Sequence, residues 1–326
     1  MRDISDDWNH IPETPIQVSP LWEWPLRPLA VLKWYADIWF VFTVNGSFVC
    51  LAFLSYYFFS PTFETAATPG LWILGVWLRN LVIVTALAGT LHLYFHGYRK
   101  QGDRLKFDAR PFPRNGRMFT FDRQVADNMF WTLASGVTIW SAYEALFWWA
   151  MANGYVGTIT FASNPVWFVA IFFLIPVWES LYFYWMHRVL HTRALYRFHA
   201  VHHRNTDIGP WSGMSMHPVE HVMYFGSVLI HFAISSHPVH IIFHLMFYGL
   251  FAITTHTGFE GLWFRNQKRL HLGNFHHQIH HRYFECNYGT PDVPWDKLFG
   301  SWHDGTNDGK ERMKTRLRER SSIRNG

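Results

Sequence analysis

The sequence predicts an all-α integral membrane protein: about four to six transmembrane helices carrying a histidine-rich helical cap on their cytoplasmic face. Three observations lead there. Apolar runs of spanning length recur along the first three-quarters of the chain. Charged residues make up only 16% of the 326 residues while aromatics reach 19%, against roughly 25% charged in a typical soluble protein. Histidines gather in two arrays, five between His187 and His203 and four between His276 and His281. The mean hydropathy of −0.03 understates the apolar character. The 21 histidines and the many Trp and Tyr residues score as polar, yet they suit interfaces and buried sites.

Residues 1–33 form a polar, proline-rich arm with Trp22 and Trp24 as interface anchors, expected to lie on the membrane surface. It has neither the basic start nor the short apolar core of a cleavable signal peptide. Residues 34–164 hold the N-terminal transmembrane helices. A span needs roughly 20 mostly apolar residues, and Trp34 to Phe59, Leu71 to Phe95 and Asn128 to Met151 qualify. Residues 165–303 open with a fourth run, Val166 to Met186. Two shorter runs follow, Val222 to Ser235 and Val239 to Thr255, joined by Ser236-His237-Pro238; they either span as a hairpin or dip in and return. Residues 304–326 are a basic tail without apolar periodicity, expected as a solvated or membrane-apposed extension.

Charge placement supports this layout. Lys and Arg crowd the segments 99–123, 188–204, 265–282 and 310–324, whereas 60–70, 152–165 and 236–238 contain none. Every basic segment then falls on one face, which the positive-inside rule makes cytoplasmic. Both termini and both histidine arrays share it. The formal charge of +5 reads as topology, and no nucleic-acid partner is expected. The two cysteines, Cys50 and Cys286, offer no disulfide framework.

The arrays carry the chemistry. His187 and His191 are spaced i, i+4, and His-x-x-His-His occurs twice, at 199–203 and 277–281. Such spacings place imidazoles on one helix face. Eight candidate ligands exceed the three or four of a single zinc site, so two metal ions held close together are expected. All-imidazole sites with open positions suit iron and dioxygen. Neither His-Glu-x-x-His nor a Cys₂His₂ pattern is present. His231, His237, His240 and His244 lack box spacing and read as structural, and the pair His92/His96 is a weaker candidate. His256 and His276 compete for further ligand places. His256 ends the last apolar run at the depth of the boxes, with Gly258 beside it to turn the chain; His276, at i−1 from His277, points to another side of its helix.

The motifs His187-Arg-x-Leu-His191, His199-x-x-His202-His203 and His277-x-x-His280-His281 resemble the three boxes of the fatty acid hydroxylase/sterol desaturase superfamily. The stretch from His276 through Asn287-Tyr288-Gly289 to Trp295-Asp296-Lys-Leu-Phe-Gly300 is similar to the C-terminal part of its sterol-oxidising members. The resemblance covers roughly residues 165–303 and implies a di-iron centre bound by His187, His191, His199, His202, His203, His256, His276, His277, His280 and His281. No catalytic residue beyond these ligands is expected. His217, Glu220, Trp178, Tyr182 and Asn287 are expected beside the ligands or lining the substrate.

The implied reaction is O₂-dependent hydroxylation or desaturation of a lipid C–H bond, with a sterol-type substrate favoured over a fatty-acyl one. The haem-binding His-Pro-Gly-Gly of fused cytochrome b5 domains is absent from the sequence. Electrons are therefore expected from a separate NAD(P)H-linked donor: a cytochrome b5, a ferredoxin or a reductase. The rival readings are a metal transporter, which needs ionisable residues along a path across the bilayer, and a zinc-dependent membrane hydrolase.

Overall fold

The computed structural model describes residues 8–36, 45–110 and 116–325. In chain order the principal helices are α1 (Asn45–Phe59), α2 (Trp72–His92), α3 (Val137–Ala152), α4 (Pro165–Leu190), α5 (Tyr196–His203), α6 (Pro218–Phe225), α7 (Pro238–Thr255), α8 (Phe275–Tyr283) and α9 (Asn307–Asn325). Among the described residues three helices are long and apolar enough to cross a membrane: Trp72–Gly97 (α2 with its terminal π turn), α4 and α7. The expected span Trp34 to Phe59 has residues 37–44 outside the described residues, and α1 covers its second part. Arg114 of the first basic segment also lies outside them. The run Asn128 to Met151 is built as Gln124–Phe130, a π turn over Trp131–Gly136, and α3.

The expected hairpin at 222–255 resolves into unequal halves. After α6 the chain tightens into a 3₁₀ segment, Gly226–Phe232, too short to span. Pro238 then starts α7, where a missing N–H costs nothing, and the His237 ring accepts from the Val239 N–H at 3.2 Å. Helix α7 is the centre of the molecule. Its apolar window is 89% buried, against 28% for those of α2 and α4; α7 is therefore sheathed by protein while the other two present outward faces such as Val82 and Phe173. Close approach to α3 depends on Gly249, where an added Cβ would stand 2.8 Å from the Trp140 ring.

The segments without Lys or Arg meet at one end. Asn153 donates to the Ala67 carbonyl at 3.0 Å, and Ser236 exchanges backbone hydrogen bonds with Gly157 and Ile159 at 3.0 and 3.2 Å. The 26 residues of α4 carry the chain about 39 Å from there to the histidines, at 1.5 Å per residue. At that far end the basic segments are tied to buried carboxylates: Arg282 to Asp108 at 3.0 Å, Lys106 to Asp207 at 3.7 Å and Arg204 to Asp127.

Three features differ from expectation. A β-hairpin stands in an otherwise helical chain, β1 (Gly261–Phe264) pairing antiparallel with β2 (Gln267–His271). Its turn residues Arg265 and Asn266 both have positive φ, 49° and 59°, the conformation a two-residue hairpin turn requires. The described part of the N-terminal arm also straps across the cap, while Trp22 and Trp24 stay exposed. Trp8 is buried against Phe275, His10 meets Glu260 at 2.7 Å, and the Ile16 N–H donates to the Asp304 carbonyl at 2.8 Å. The basic tail is helix α9, which buries Met313 in the same small core. Glu, Lys, Arg and Met are all good helix formers, and composition outweighed the missing apolar period.

Arg79 and Glu144 form a buried ion pair between α2 and α3, with Asn80 donating to Ser141 at 3.1 Å and to Glu144 at 3.2 Å. Arg79→Leu strands the carboxylate and is expected to cost about 3–5 kcal/mol, whereas the double replacement with Glu144→Leu costs less. Thermal unfolding in detergent measures both, and equal losses would show that the pair is not coupled.

Candidate metal centre

Four elements converge at the basic end of the bundle. His187 lies in the last turn of α4 and His191 caps it. Helix α5 contributes His199, His202 and His203, and α8 contributes His277, His280 and His281. His256 caps the end of α7. The nine form two groups. In the first, one ligand atom each of His187, His191, His199, His203 and His280 all lie within 4.8 Å of one another; the second holds His202, His256, His277 and His281 at the same closeness. The groups are neighbours, with the His203 and His281 rings 4.9 Å apart.

The two His-x-x-His-His boxes divide in opposite senses. Of the α5 box, the i, i+4 pair His199/His203 enters the first group and His202 the second. Of the α8 box, the pair His277/His281 enters the second group and His280 the first. Each helix thus straddles both groups, since positions i and i+4 share a face and i+3 stands beside it.

The nitrogens inside each group face one another. Nε2 to Nε2 separations are 3.0 Å for His187–His199, 3.1 Å for His191–His203 and 3.0 Å for His203–His280. In the second group they are 3.2 Å for His256–His277, 3.3 Å for His256–His281 and 3.1 Å for His277–His281. The outer nitrogens meet oxygens. Nδ1 of His187 donates to the Tyr288 carbonyl (2.7 Å), His256 to Ala252 (2.7 Å), His280 to Cys286 (2.6 Å) and His281 to Asn205 (3.0 Å). Nδ1 of His199 donates to the buried Glu220 carboxylate at 2.6 Å.

A neutral imidazole has one N–H, so an Nδ1 that donates leaves a lone pair on Nε2. In the pairs His187–His199 and His256–His281 both inward nitrogens therefore present lone pairs at about 3 Å. That contact is repulsive unless a cation stands between them. Burial keeps the rings neutral. It holds His256 and His191 down to about 3 and His202 down to about 4, and puts His199, His203, His277, His280 and His281 well below the ordinary imidazole value. The donor set fits metal ions.

The remaining residues named from sequence fall elsewhere. His276 belongs to neither group; its ring packs at a tilt against Trp302, centroids 4.7 Å apart, and lies 3.8 Å from Asp296. His217 caps α6, accepting from the Val219 N–H at 3.2 Å, and its ring packs on Phe198. Glu220 orients His199. Trp178 donates to the Ser227 carbonyl at 3.0 Å and Tyr182 to Met223 at 2.7 Å, fastening the 218–232 segment to α4. Asn287, at φ 54°, donates to the carbonyls of His276 and His303 at 3.1 and 3.0 Å. It thereby fixes a turn whose neighbouring carbonyls, those of Cys286 and Tyr288, hold His280 and His187. Cys286 offers that carbonyl; burial pushes its thiol up, away from ligation.

Sequence reasoning missed two supports. Asp296 accepts from the Tyr288 and Gly289 N–H groups at 2.9 and 2.7 Å, bracing the same turn. His96 is no part of either group; its Nε2 meets the Thr257 carbonyl at 3.1 Å, next to His256. The chain turns there at Gly258, φ 79°, where a Cβ would meet the Ile208 carbonyl oxygen at 2.6 Å, and the Phe107 N–H donates to the Gly258 carbonyl at 2.9 Å. The spacing of the His92/His96 pair hinted at a role but not at this one.

These lowered values set a pH dependence. The unfolded chain takes up protons near pH 6.5, whereas these folded histidines resist until far lower. Stability of metal-free protein is therefore expected to fall as pH drops below about 6.5, by up to ~1.4 kcal/mol per unit for each such group. Tm measured on chelator-treated protein between about pH 7 and pH 5 tests this, and a flat Tm would contradict it.

Residues 168–301 match the fatty acid hydroxylase family model. Over 253 residues the chain is 25% identical to a Delta(7)-sterol-C5(6)-desaturase of Nicotiana tabacum, covering 73% of this chain and 86% of that protein. It is 32% identical to human lathosterol oxidase over 127 residues, 38% of this chain and 42% of the relative. It is 30% identical to a Delta(7)-sterol 5(6)-desaturase of Gibberella zeae over 141 residues, 41% of this chain and 42% of the relative. The chain thus spans about two-fifths of the latter two relatives and most of the tobacco one. No solved structure matches it. All nine clustered histidines fall within residues 168–301, the part of the chain that is similar to the fatty acid hydroxylase family.

Proposed function

We propose that the protein is a membrane-bound, non-haem di-iron oxidase that hydroxylates or desaturates a C–H bond of a lipid, with a sterol-type substrate. The observation that carries this reading is the pair of buried imidazole groups whose inward nitrogens face one another without protons between them. The names of the relatives, sterol desaturases and a lathosterol oxidase, support the substrate class. The apolar outer faces of α2 and α4 support a membrane setting.

On this reading His187, His191, His199, His203 and His280 hold one iron, and His202, His256, His277 and His281 the other. His276 stays outside. Bound iron supplies the redox chemistry by which dioxygen and external electrons attack an unactivated C–H bond. The chain's own work is orientation and exclusion of water. The carbonyls of Tyr288, Ala252, Cys286 and Asn205, with Glu220, engage the outer Nδ1 of five rings (His187, His256, His280, His281 and His199) and so orient them before any metal arrives. Phe183, its ring 4.9 Å from His187 and 6.2 Å from His277, roofs the groups with hydrocarbon and keeps water from the reacting carbon. Hydroxylation adds one oxygen to the lipid and desaturation removes two hydrogens. Both draw electrons from a separate NAD(P)H-linked protein, for which the paired Arg and Lys residues of the cap offer a docking face. In the bilayer the four to six apolar segments place the cap, both termini and both groups on the cytoplasmic side.

Metal analysis tests the centre. Purified protein is expected to hold about two irons per chain. His187→Ala and His281→Ala are each expected to lower iron content and abolish oxidation, measured as altered lipid profiles of cells expressing each form; outer-shell losses typically run 10–100-fold, and loss of a ligand should exceed that. His237→Ala should leave both intact. One zinc per chain would sink the reading.

Topology has its own test. In a Cys50→Ser background, Tyr155→Cys and Arg104→Cys are expected to react with an impermeant thiol reagent from opposite sides of oriented vesicles. Labelling from the same side would overturn the arrangement.

A further inference from the structure

Beyond the histidine groups, the most unusual chemistry in the described residues lies deep in the apolar layer, around Glu179. This residue of α4 is 3% exposed. Among the described residues no Lys or Arg pairs with it, in contrast to Glu144, which meets Arg79. Instead an unbroken chain of hydrogen bonds leads to it from the opposite end of the molecule. Ser236 Oγ contacts His231 Nδ1 at 2.6 Å, and His231 Nε2 contacts His244 Nδ1 at 2.9 Å. His244 Nε2 contacts Glu179 Oε1, and Ser227 braces both, at 2.8 Å to the carboxylate and 3.1 Å to the imidazole. Every imidazole nitrogen in this chain is engaged, so the carboxyl is held in one orientation through Oε1.

The other oxygen, Oε2, is buried and has no hydrogen-bond partner. Neither has the hydroxyl of Tyr248 on α7, itself 6% exposed. The Tyr248 ring is clamped by a parallel stack on Tyr224, centroids 3.8 Å apart, and by the edge of Phe183 at 6.2 Å. Phe183 is one helical turn from Glu179, at i+4 on the same face of α4, so its ring links the Glu179 face of α4 to Tyr248. An ionisable side chain in the apolar layer is costly and marks a pathway or a binding site. An orientated carboxylate accepts, and a phenol donates or accepts; together they suit one small group that does both.

We propose that Glu179 and Tyr248 seat the hydroxyl group of the lipid substrate, an inference that rests on the lipid-oxidase reading above. Glu179 precedes His187 by eight residues on α4, and Tyr248 precedes His256 by eight at the end of α7. At 1.5 Å per residue both helices put the seat about 12 Å from the histidines. The polar end of the lipid is anchored there, and Phe183 lines the way from it to the metal-facing nitrogens.

The test is binding to iron-loaded protein in detergent, which needs no turnover. The probes are two matched pairs: cholesterol with cholest-5-ene, and 1-hexadecanol with hexadecane. Wild type is expected to favour the alcohol of one pair by about ten- to hundredfold, the worth of a hydrogen bond to a charged group, and the pair that shows it names the lipid class. Glu179→Gln and Tyr248→Phe should each lose most of that preference while keeping their iron and their affinity for the deoxy partner. Tyr248→Phe keeps the ring stack, so it remains informative if Glu179→Gln folds poorly. Equal binding within both pairs, or a preference that survives both substitutions, overturns the hydroxyl seat alone. Failure of all four probes to bind overturns the lipid-oxidase reading with it.

Discussion

The structure hangs on imidazole nitrogens that face each other at about 3 Å with no proton between them. Such a contact is unfavourable in the bare polypeptide. Only the outward hydrogen bonds, from Nδ1 to Ala252, Tyr288, Cys286, Asn205 and Glu220, keep the rings from turning to relieve it. The architecture around the groups is largely a device for supplying those acceptors. Helix α7 ends where its last-turn Ala252 carbonyl, which accepts the His256 backbone N–H at 3.2 Å, also meets the His256 ring. The 286–288 turn, pinned by Asn287 and Asp296, aims two successive acceptors from one strand of chain at two different helices.

The N-terminal part of the chain, outside the matched domain, shares in this support. His96 and Phe107 grip the backbone on the two residues after His256, and Trp8 and His10 lock the strap over α8 and Glu260. The basic segments are ion-paired to buried carboxylates at the same end. Their Lys and Arg thereby tie the 99–123 segment to the histidine cap.

Much of the centre was legible in the sequence because its ligands come from short helices, where spacing fixes the face. The i, i+4 pairs and the lone His256 at a helix end were readable for that reason. His276 was expected among the ligands, and the structure leaves it outside both groups, its i−1 place turning it away from His277. What was hidden was whatever depends on backbone oxygen rather than side chain. The carbonyls of Asn205 and Cys286 have no sequence signature, and Asn287 acts through its positive φ. The β-hairpin escaped because Arg265-Asn266 lacks the glycine that usually marks its turn, and α9 because its helicity comes from composition without an apolar stripe.

The two intramembrane acids show how partner chemistry separates structure from function. Glu144 faces a guanidinium and an amide across the α2–α3 contact, both on one oxygen, and the arrangement fastens two helices. Glu179 faces an imidazole and a serine, which orient the carboxyl and likewise act on one oxygen. An unpaired buried oxygen costs the desolvation of that atom, and both acids leave one, Oε1 of Glu144 and Oε2 of Glu179. What separates them is the partner: a guanidinium answers Glu144, whereas among the described residues no Lys or Arg pairs with Glu179, and on the proposal above a group from outside the chain does. The hydrogen-bonded histidines behind the Glu179 carboxyl, running back to Ser236, keep it pointed while it waits.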